Sequence, residues 1–301
     1  MTKKSALRIT DSETHVAING TKRILGGLVF AAAILLCHNA SAQEVDLGAA
    51  NSFAILAGST VTSTGSTVIS GGNVGVYPGS AITGLLPTQV AAPYTIQYTT
   101  TAAKNAETAL AAAYNTAVVL PSTSLTGLDL GTFGTTSPAL TPGVYSFSSS
   151  AQLTGTLTLN GEGEADPVFI FQIGSSLTTA TSSSVTMIDD GSSTPGISVF
   201  WLVGSSATLG TSTAFEGNIL AQTSISLAGG ATDLDGRLLA ESGAVTLIDN
   251  TITAPAAEPQ GTGGTGGTGG GTVPDNGSTL LLLGSALVAL FAFERRFSSL
   301  S

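Results

Sequence analysis

The sequence predicts a mainly β protein wound as a β-solenoid, with one α-helix packed alongside. Three observations predict it: a segment that returns about every twenty residues, an alternation of apolar and hydroxyl-bearing side chains within each return, and one alanine-rich stretch of helical period. The returns are IFQIGSSLTT from Ile170, FWLVGSSATL from Phe200, NILAQTSISL from Asn218 and RLLAESGAVTL from Arg237. Their starts lie 30, 18 and 19 residues apart, so the first coil reads as one carrying an insertion. A period near twenty is too short for a propeller blade and fits one turn of a solenoid, whose coils stack at the strand spacing of about 4.7–4.9 Å.

From the N-terminus, Lys22 and Arg23 precede an apolar run from Ile24 to Leu36, and Ala40-Ser41-Ala42 supplies a small-residue cleavage pattern. Residues 1–42 read as a secretory signal peptide, cut by signal peptidase between Ala42 and Gln43. Leu36 before Cys37 stands where lipidation calls for a small residue, which argues against a lipoprotein. Removing this leader removes His15, His38 and Cys37, the only histidines and cysteine of the chain.

Residues 43–256 form the predicted solenoid domain. Stretches such as SFAILAGSTVTST and GGNVGVYPGS read as strands punctuated by glycine and proline. A helix is expected over about 99–120, where Ala103, Ala106, Leu110, Ala113, Tyr114 and Ala117 recur at helical spacing and Pro121 ends the run. Its stripe is mostly alanine, which lets a helix lie close against a flat surface. After Pro142 the chain is strand upon strand.

Within the returns, Leu177, Ala207, Ile225 and Val245 are expected to point inward, as are Leu209, Leu227 and Leu247. Thr178, Thr208, Ser226 and Thr246 fall between them and face out, the first candidate surface. Beyond the next bend lies a second: Thr181, Thr211, Thr213, Ala231, Thr232, Thr251 and Thr253. Outward threonine also simply suits an exposed strand. Trp201, Phe200, Phe169 and Phe171 sit in the apolar alternation and read as core or sheet-covering residues. Arg237, following Asp233-Leu234-Asp235-Gly236, reads as one half of a turn-stabilising ion pair.

Composition excludes several functions. Only 9% of residues are charged, against about a quarter in ordinary chains, and the net charge is −10. Between Gln43 and Gln260 the basic residues are Lys104 and Arg237 alone, facing fifteen carboxylates. Such a surface neutralises no phosphates, so neither nucleic acid nor anionic lipid is an expected partner. Without histidine or cysteine, nucleophile–base pairs of the usual kind are excluded, and no cleft pattern marks two carboxylates for hydrolysis. The DxDG at Asp233–Gly236 is a fragment of a calcium loop. No catalysis, metal or cofactor is expected.

Several segments match a known family in order: VDLGAANSFAILAGSTVTSTG, GNVGVYPGSAITG, LTPGVYSFSSSAQLTGTLTL, VFIFQIGSSLTT, ISVFWLVGSSATLGTSTAFEGNILA and GRLLAESGAVTL. They resemble the ice-binding-protein-like adhesive domain over about residues 45–254. The resemblance implies a discontinuous right-handed β-solenoid of triangular section with one long helix alongside. It also implies adsorption to ice, as antifreeze, as inhibitor of recrystallisation or as ice adhesin; a monomer is expected. Ice presents a repeating array of oxygens without concentrated charge. Stacked threonines offer it hydroxyl and methyl groups at constant spacing on a surface already rigid, so little entropy is lost on binding. The resemblance does not choose between the two candidate surfaces. The alternative is a surface or matrix adhesin for polysaccharide or protein, without ice affinity.

The C-terminus reads as three materials in succession. A glycine-threonine linker spans 257–272, and twelve of its residues, 261–272, give a reach of about 20 Å. Val273-Pro274-Asp275-Asn276-Gly277 follows, then the apolar run Thr279–Phe293 and Arg295-Arg296. Residues 273–301 resemble a PEP-CTERM sorting signal of the VPDSG type, with Asn276 where serine is usual. This implies export in a Gram-negative cell and processing by an exosortase-like membrane protease, with placement on the surface, in the matrix or in the medium. The apolar run is shorter than the ~20 residues of a comfortable span, which suits a transient membrane anchor held by its basic end; a permanent anchor is the alternative.

Overall fold

Runs such as Phe53–Ala57 and Val168–Ile173 are apolar, Gln172 excepted, and buried at every position. Strands of that kind need cover on both faces. Shorter strands such as Leu177–Thr179 and Ala207–Leu209 alternate buried, exposed, buried, and need it on one. The two kinds recur in fixed order along the chain and sort into separate sheets, which makes the fold a three-sided solenoid.

The computed structural model describes residues 45–164, 166–189 and 198–255. The chain divides into one unit of residues 1–258 and another of 259–301, and every described residue belongs to the first. The leader with its cut at Ala42–Gln43, the glycine-threonine linker and the Val273–Gly277 motif with its apolar run lie outside the described residues. No helix among the described residues is long and apolar enough to cross a membrane.

The first coil is β1 (Phe53–Ala57), β2 (Thr60–Thr64) and β3 (Val68–Ser70); a partial coil of β4 (Asn73–Val76), β5 (Ala81–Thr83) and β6 (Ile96–Tyr98) follows. The helix α1 (Thr101–Ala117) and β7 (Thr123–Ser124) come next. Then the coils stack: β8 (Gly143–Phe147), β9 (Ala151–Leu153) and β10 (Thr156–Asn160); β11 (Val168–Ile173), β12 (Leu177–Thr179) and β13 (Ser184–Ile188). Three more complete the domain. They are β14 (Ser198–Val203), β15 (Ala207–Leu209) and β16 (Ala214–Glu216); β17 (Asn218–Ala221), β18 (Ile225–Leu227) and β19 (Thr232–Leu234); and β20 (Leu238–Ala240), β21 (Val245–Ile248) and β22 (Thr251–Thr253).

All pairings between these strands are parallel, in sheets of nine, seven and six strands. The nine-stranded sheet runs β6-β4-β1-β20-β17-β14-β11-β8-β7, with the strands flanking α1 at its two edges. The helix thus carries the chain from one end of the stack to the other. The chain then climbs back until β20, β21 and β22 pair with β1, β2 and β3. Opposite ends of the domain meet inside the stack, and this junction is the discontinuity of the solenoid.

Side chains on the inner face of the nine-stranded sheet, Ile55, Phe169, Phe171, Trp201, Ile219 and Leu238 among them, fill the interior. Those on its outer face, including Leu56, Ile170, Phe200, Leu202, Leu220 and Leu239, pack under α1. Ala103, Ala106, Leu110, Ala113, Tyr114 and Ala117 are the buried helix residues, the stripe read from the sequence. The helix is shorter than the expected 99–120 because Thr99 is left-handed (φ 48°) and the Thr100 hydroxyl caps the N-terminus, accepting from Ala103 N at 3.1 Å. Gly48, also left-handed, lets the preceding segment approach: a Cβ there would lie 3.3 Å from that of Ala109.

The structure corrects the expected ion pair at Arg237. Asp233 points into the interior between Phe215 and Ile252, and neither of its oxygens has a hydrogen-bond partner. The Arg237 guanidinium donates instead to Asn51 O (3.2 Å), Asn218 Oδ1 (3.0 Å) and Pro255 O (2.8 Å). Burial lowers its pKa to about 10, opposed by the charge of Asp233. Burial also pushes the Asp233 carboxyl well above its usual range, and the nearby Glu216 and Asp235 add to the shift.

Candidate functional site

Two sheets keep an outer face free of the helix. On the seven-stranded sheet the register brings one outward residue from every strand into a single row. Gln152 pairs with Thr178, Thr178 with Thr208, Thr208 with Ser226, Ser226 with Thr246, Thr246 with Thr62 and Thr62 with Thr83. At the spacing of parallel strands this row is about 29 Å long. Gln152, Thr208, Ser226 and Thr246 each stand between two buried apolar neighbours, as Thr208 does between Ala207 and Leu209, while Thr178 and Thr62 have one apolar and one polar buried neighbour, so packing fixes their direction.

No charged residue lies in any of these seven strands. None of the six hydroxyls of the row hydrogen-bonds to another described residue, which leaves all of them to solvent. The flanking serines differ: Ser206 Oγ accepts from Ser224 N (3.4 Å) and Ser224 Oγ from Ala244 N (3.2 Å), so both close the corner of the coil.

The six-stranded sheet presents two outward rows. One holds Thr156, Ser184, Ala214, Thr232, Thr251 and Val68; the other includes Thr158, Thr186, Glu216, Leu234, Thr253 and Ser70. Glu216 puts a charge in mid-face, and Leu234 and Val68 are exposed apolar residues. Several hydroxyls are already engaged. Thr156 Oγ1 and Ser184 Oγ bond at 2.8 Å, Thr186 Oγ1 donates to Leu157 O at 3.3 Å, and Ser70 Oγ donates to Thr253 Oγ1 at 3.3 Å. The segment 129–141 crosses one edge, where Phe133 O and Leu140 O accept from Thr158 N and Asn160 N.

Of the residues expected on the first surface, Thr178, Thr208, Ser226 and Thr246 occupy four adjacent positions of the free row. The sequence reading omitted Gln152, Thr62 and Thr83; the alternation of TVTST over residues 60–64 was the available signal for Thr62. The second set scatters. Thr232 and Thr251 are neighbours on the six-stranded sheet, and Thr253 lies in its other row. Thr181 and Thr211 sit exposed in turns. Thr213 and Ala231 are a correction: both are buried, and Thr213 Oγ1 bonds to Thr179 Oγ1 at 2.8 Å inside the corner. The physical reason is the bend. Ser182, Ser212, Gly230 and Asp249 are left-handed there (φ 58°, 56°, 72° and 51°), and the residue after each turns inward.

Among the described residues no group of three or more acidic, histidine or cysteine side chains is placed to hold a metal. A shallow cavity of about 320 Å³ lies between the N-terminal segment and the helix, lined by Val45, Asp46, Ala112, Ala113, Thr116, Ala117 and Leu120. It offers one carboxylate, from Asp46, and otherwise small or apolar groups.

Comparison with known proteins shows what the chain resembles. The model of the ice-binding-like family matches residues 55–253, and that of the VPDSG-CTERM motif matches residues 272–297. The chain is 49% identical over 254 residues to an ice-binding protein of Nostoc sp. (strain HG1), covering 83% of this chain and 87% of that one. It is 32% identical over 263 residues to an ice-binding protein of Colwellia sp, covering 80% and 96%. Among solved structures it resembles an ice-binding protein of the Antarctic ascomycete Antarctomyces psychrotrophicus (TM-score 0.62, 36% identity, 70% of this chain and 98% of that one). It also resembles a domain of Shewanella frigidimarina ice-binding protein 1 (TM-score 0.61, 28% identity, 71% and 98%).

Proposed function

The chain belongs to the ice-binding-like family, and from that premise we propose that it adsorbs to ice through the outer face of its seven-stranded sheet. The observation that carries this reading is the row from Gln152 to Thr83, in which all six hydroxyls are uncommitted and no charge intrudes. Water ordered over such a row meets donors and acceptors repeated at one spacing, with methyl groups between them. A charged side chain would hold its own hydration shell and break that order. The strands are fixed before binding, so few side chains lose freedom on contact. The six-stranded sheet is the weaker surface, because Glu216 and the paired hydroxyls interrupt it.

The same surface argues for a binder and against an enzyme: with no charged residue in its seven strands, it presents no convergent set of acid and base groups. The VPDSG-CTERM motif marks an exported protein, secreted or held at the cell surface. In this reading the motif is cut by an exosortase-like protease, the apolar run after it rests in the membrane until then, and the glycine-threonine tract tethers a monomeric domain. The test is ice-affinity partitioning of purified residues 43–260, with recrystallisation measured alongside. Capture in the ice fraction is expected. Folded protein recovered in the liquid would favour the general adhesin.

A further inference from the structure

We infer that Asn250 is a positioning residue for the ice-facing sheet, holding in register the two strands, β2 and β21, at which opposite ends of the domain meet. The inference rests on the ice reading above. The junction falls inside the free row, between Thr246 and Thr62. Because no short turn connects β2 to β21, their register must come from tertiary contacts. A slip by one residue would turn every outward side chain of β2 inward.

The corner that follows each strand of this sheet carries an equivalent position in five successive coils. The pairing of Ser184, Ala214, Thr232, Thr251 and Val68 aligns the residues before them: Ser183, Thr213, Ala231, Asn250 and Thr67. All five are buried. Four are small, and Asn250 is the long one, placed at the junction.

Its side chain bonds toward the coil before it, and its backbone toward the first coil. Nδ2 donates to Ala228 O and Ala231 O, each at 2.9 Å, where alanine offers no polar group of its own. Oδ1 accepts from Ile248 N at 2.5 Å, at the end of β21. In the other direction Asn250 N donates to Thr67 Oγ1 (3.3 Å), and Asn250 O accepts from Val68 N (2.8 Å). The adjacent Asp249 Oδ1 accepts from Ser66 N at 2.7 Å. The side-chain amide thus anchors to the coil before it, and to the end of its own strand, the stretch of backbone whose N–H and C=O pair with the first coil. Removing that amide takes the Asn250 donor from the buried Ala231 O, while Ala228 O keeps Ala231 N at 3.1 Å, at the place where the face has no covalent continuity.

The experiment compares Asn250→Ala with Ser183→Ala in the full exported chain. Ser183 occupies the same corner position away from the junction, where its hydroxyl donates to Leu153 O at 3.0 Å. With both variants folded in the cold by circular dichroism, Asn250→Ala should exchange the amides of Thr60–Thr64 faster and lose about tenfold in ice capture. Ser183→Ala should match the parent in both. Should Asn250→Ala fail to fold, Asn250→Ser, with a short buried hydroxyl like that of Ser183, takes its place. Parental ice capture by the Asn250 variant overturns the inference. So does loss of capture with unchanged exchange over Thr60–Thr64, or an equal loss in Ser183→Ala. A parent chain left in the liquid would overturn the ice reading instead, and the exchange measurement alone would then decide the register role.

Discussion

Phe171 and Trp201 stack face to face in the solenoid interior, with ring centroids 4.2 Å apart and planes 10° from parallel. Tyr145 extends the stack on one side (5.6 Å) and Phe215 on the other (4.9 Å), while Trp201 Nε1 donates to Glu216 O at 3.0 Å. The column joins three strands of the nine-stranded sheet to one of the six-stranded sheet, and the hydrogen bond satisfies the one polar atom of the indole.

Trp201→Ala should therefore cost about 3–5 kcal/mol, because the stack loses its largest member and the cavity lies between close-packed coils. Urea unfolding measures it. A loss below about 1 kcal/mol would mean that neighbouring coils collapse into the space.

The buried acid at Asp233 makes a pH-dependent prediction. Its folded pKa is raised by burial, then by Glu216 and Asp235, with Arg237 opposing. The native state therefore keeps a proton that the unfolded chain releases above its ordinary value of 3.8. The stability this group contributes is fully present below that value. It is lost as pH rises toward the folded pKa, by up to about 1.4 kcal/mol per pH unit. Asp233→Leu, which continues the apolar rung of Phe215 and Ile252, should be more stable than the parent at neutral pH. Its advantage should grow from pH 5 to pH 8 in urea titrations. A constant difference across that range would contradict the assignment.

Glu107 makes the same argument where the helix meets the solenoid. Both its oxygens are shielded and without a hydrogen-bond partner, and burial, followed by repulsion from Glu241, raises its pKa from 4.5 to about 9. Glu107→Gln should flatten the fall in stability between about pH 4.5 and 9 without changing the fold. Thermal unfolding at several pH values measures it, and an unchanged slope would count against a protonated Glu107.

The regular part of this architecture was legible in the sequence. The six-residue stripe from Ala103 to Ala117 and the in–out–in strands at Leu177–Thr179, Ala207–Leu209 and Ile225–Leu227 are local patterns, and local patterns survive into the fold. The facing of Thr213 and Ala231 was not legible, because a left-handed residue at each corner breaks the period of two. The register of Thr62 beside Thr246 was hidden for another reason: it joins distant segments, and no local rule aligns them. Nor does sequence tell whether a hydroxyl is free, as at Thr208, or engaged, as at Thr156. The same holds for Arg237, whose partners are carbonyls and an amide brought in from Asn51, Asn218 and Pro255 in place of the nearby Asp233.

The central claim is that the uncommitted hydroxyl row on the seven-stranded sheet holds ice. Thr208→Tyr, in that row, and Thr251→Tyr, on the six-stranded sheet, place the same bulk on the two exposed faces. Ice-affinity partitioning of both folded variants beside the parent is the most direct measurement. The account predicts at least about tenfold weaker capture for Thr208→Tyr and parental capture for Thr251→Tyr. Parental capture by Thr208→Tyr with loss in Thr251→Tyr would contradict it.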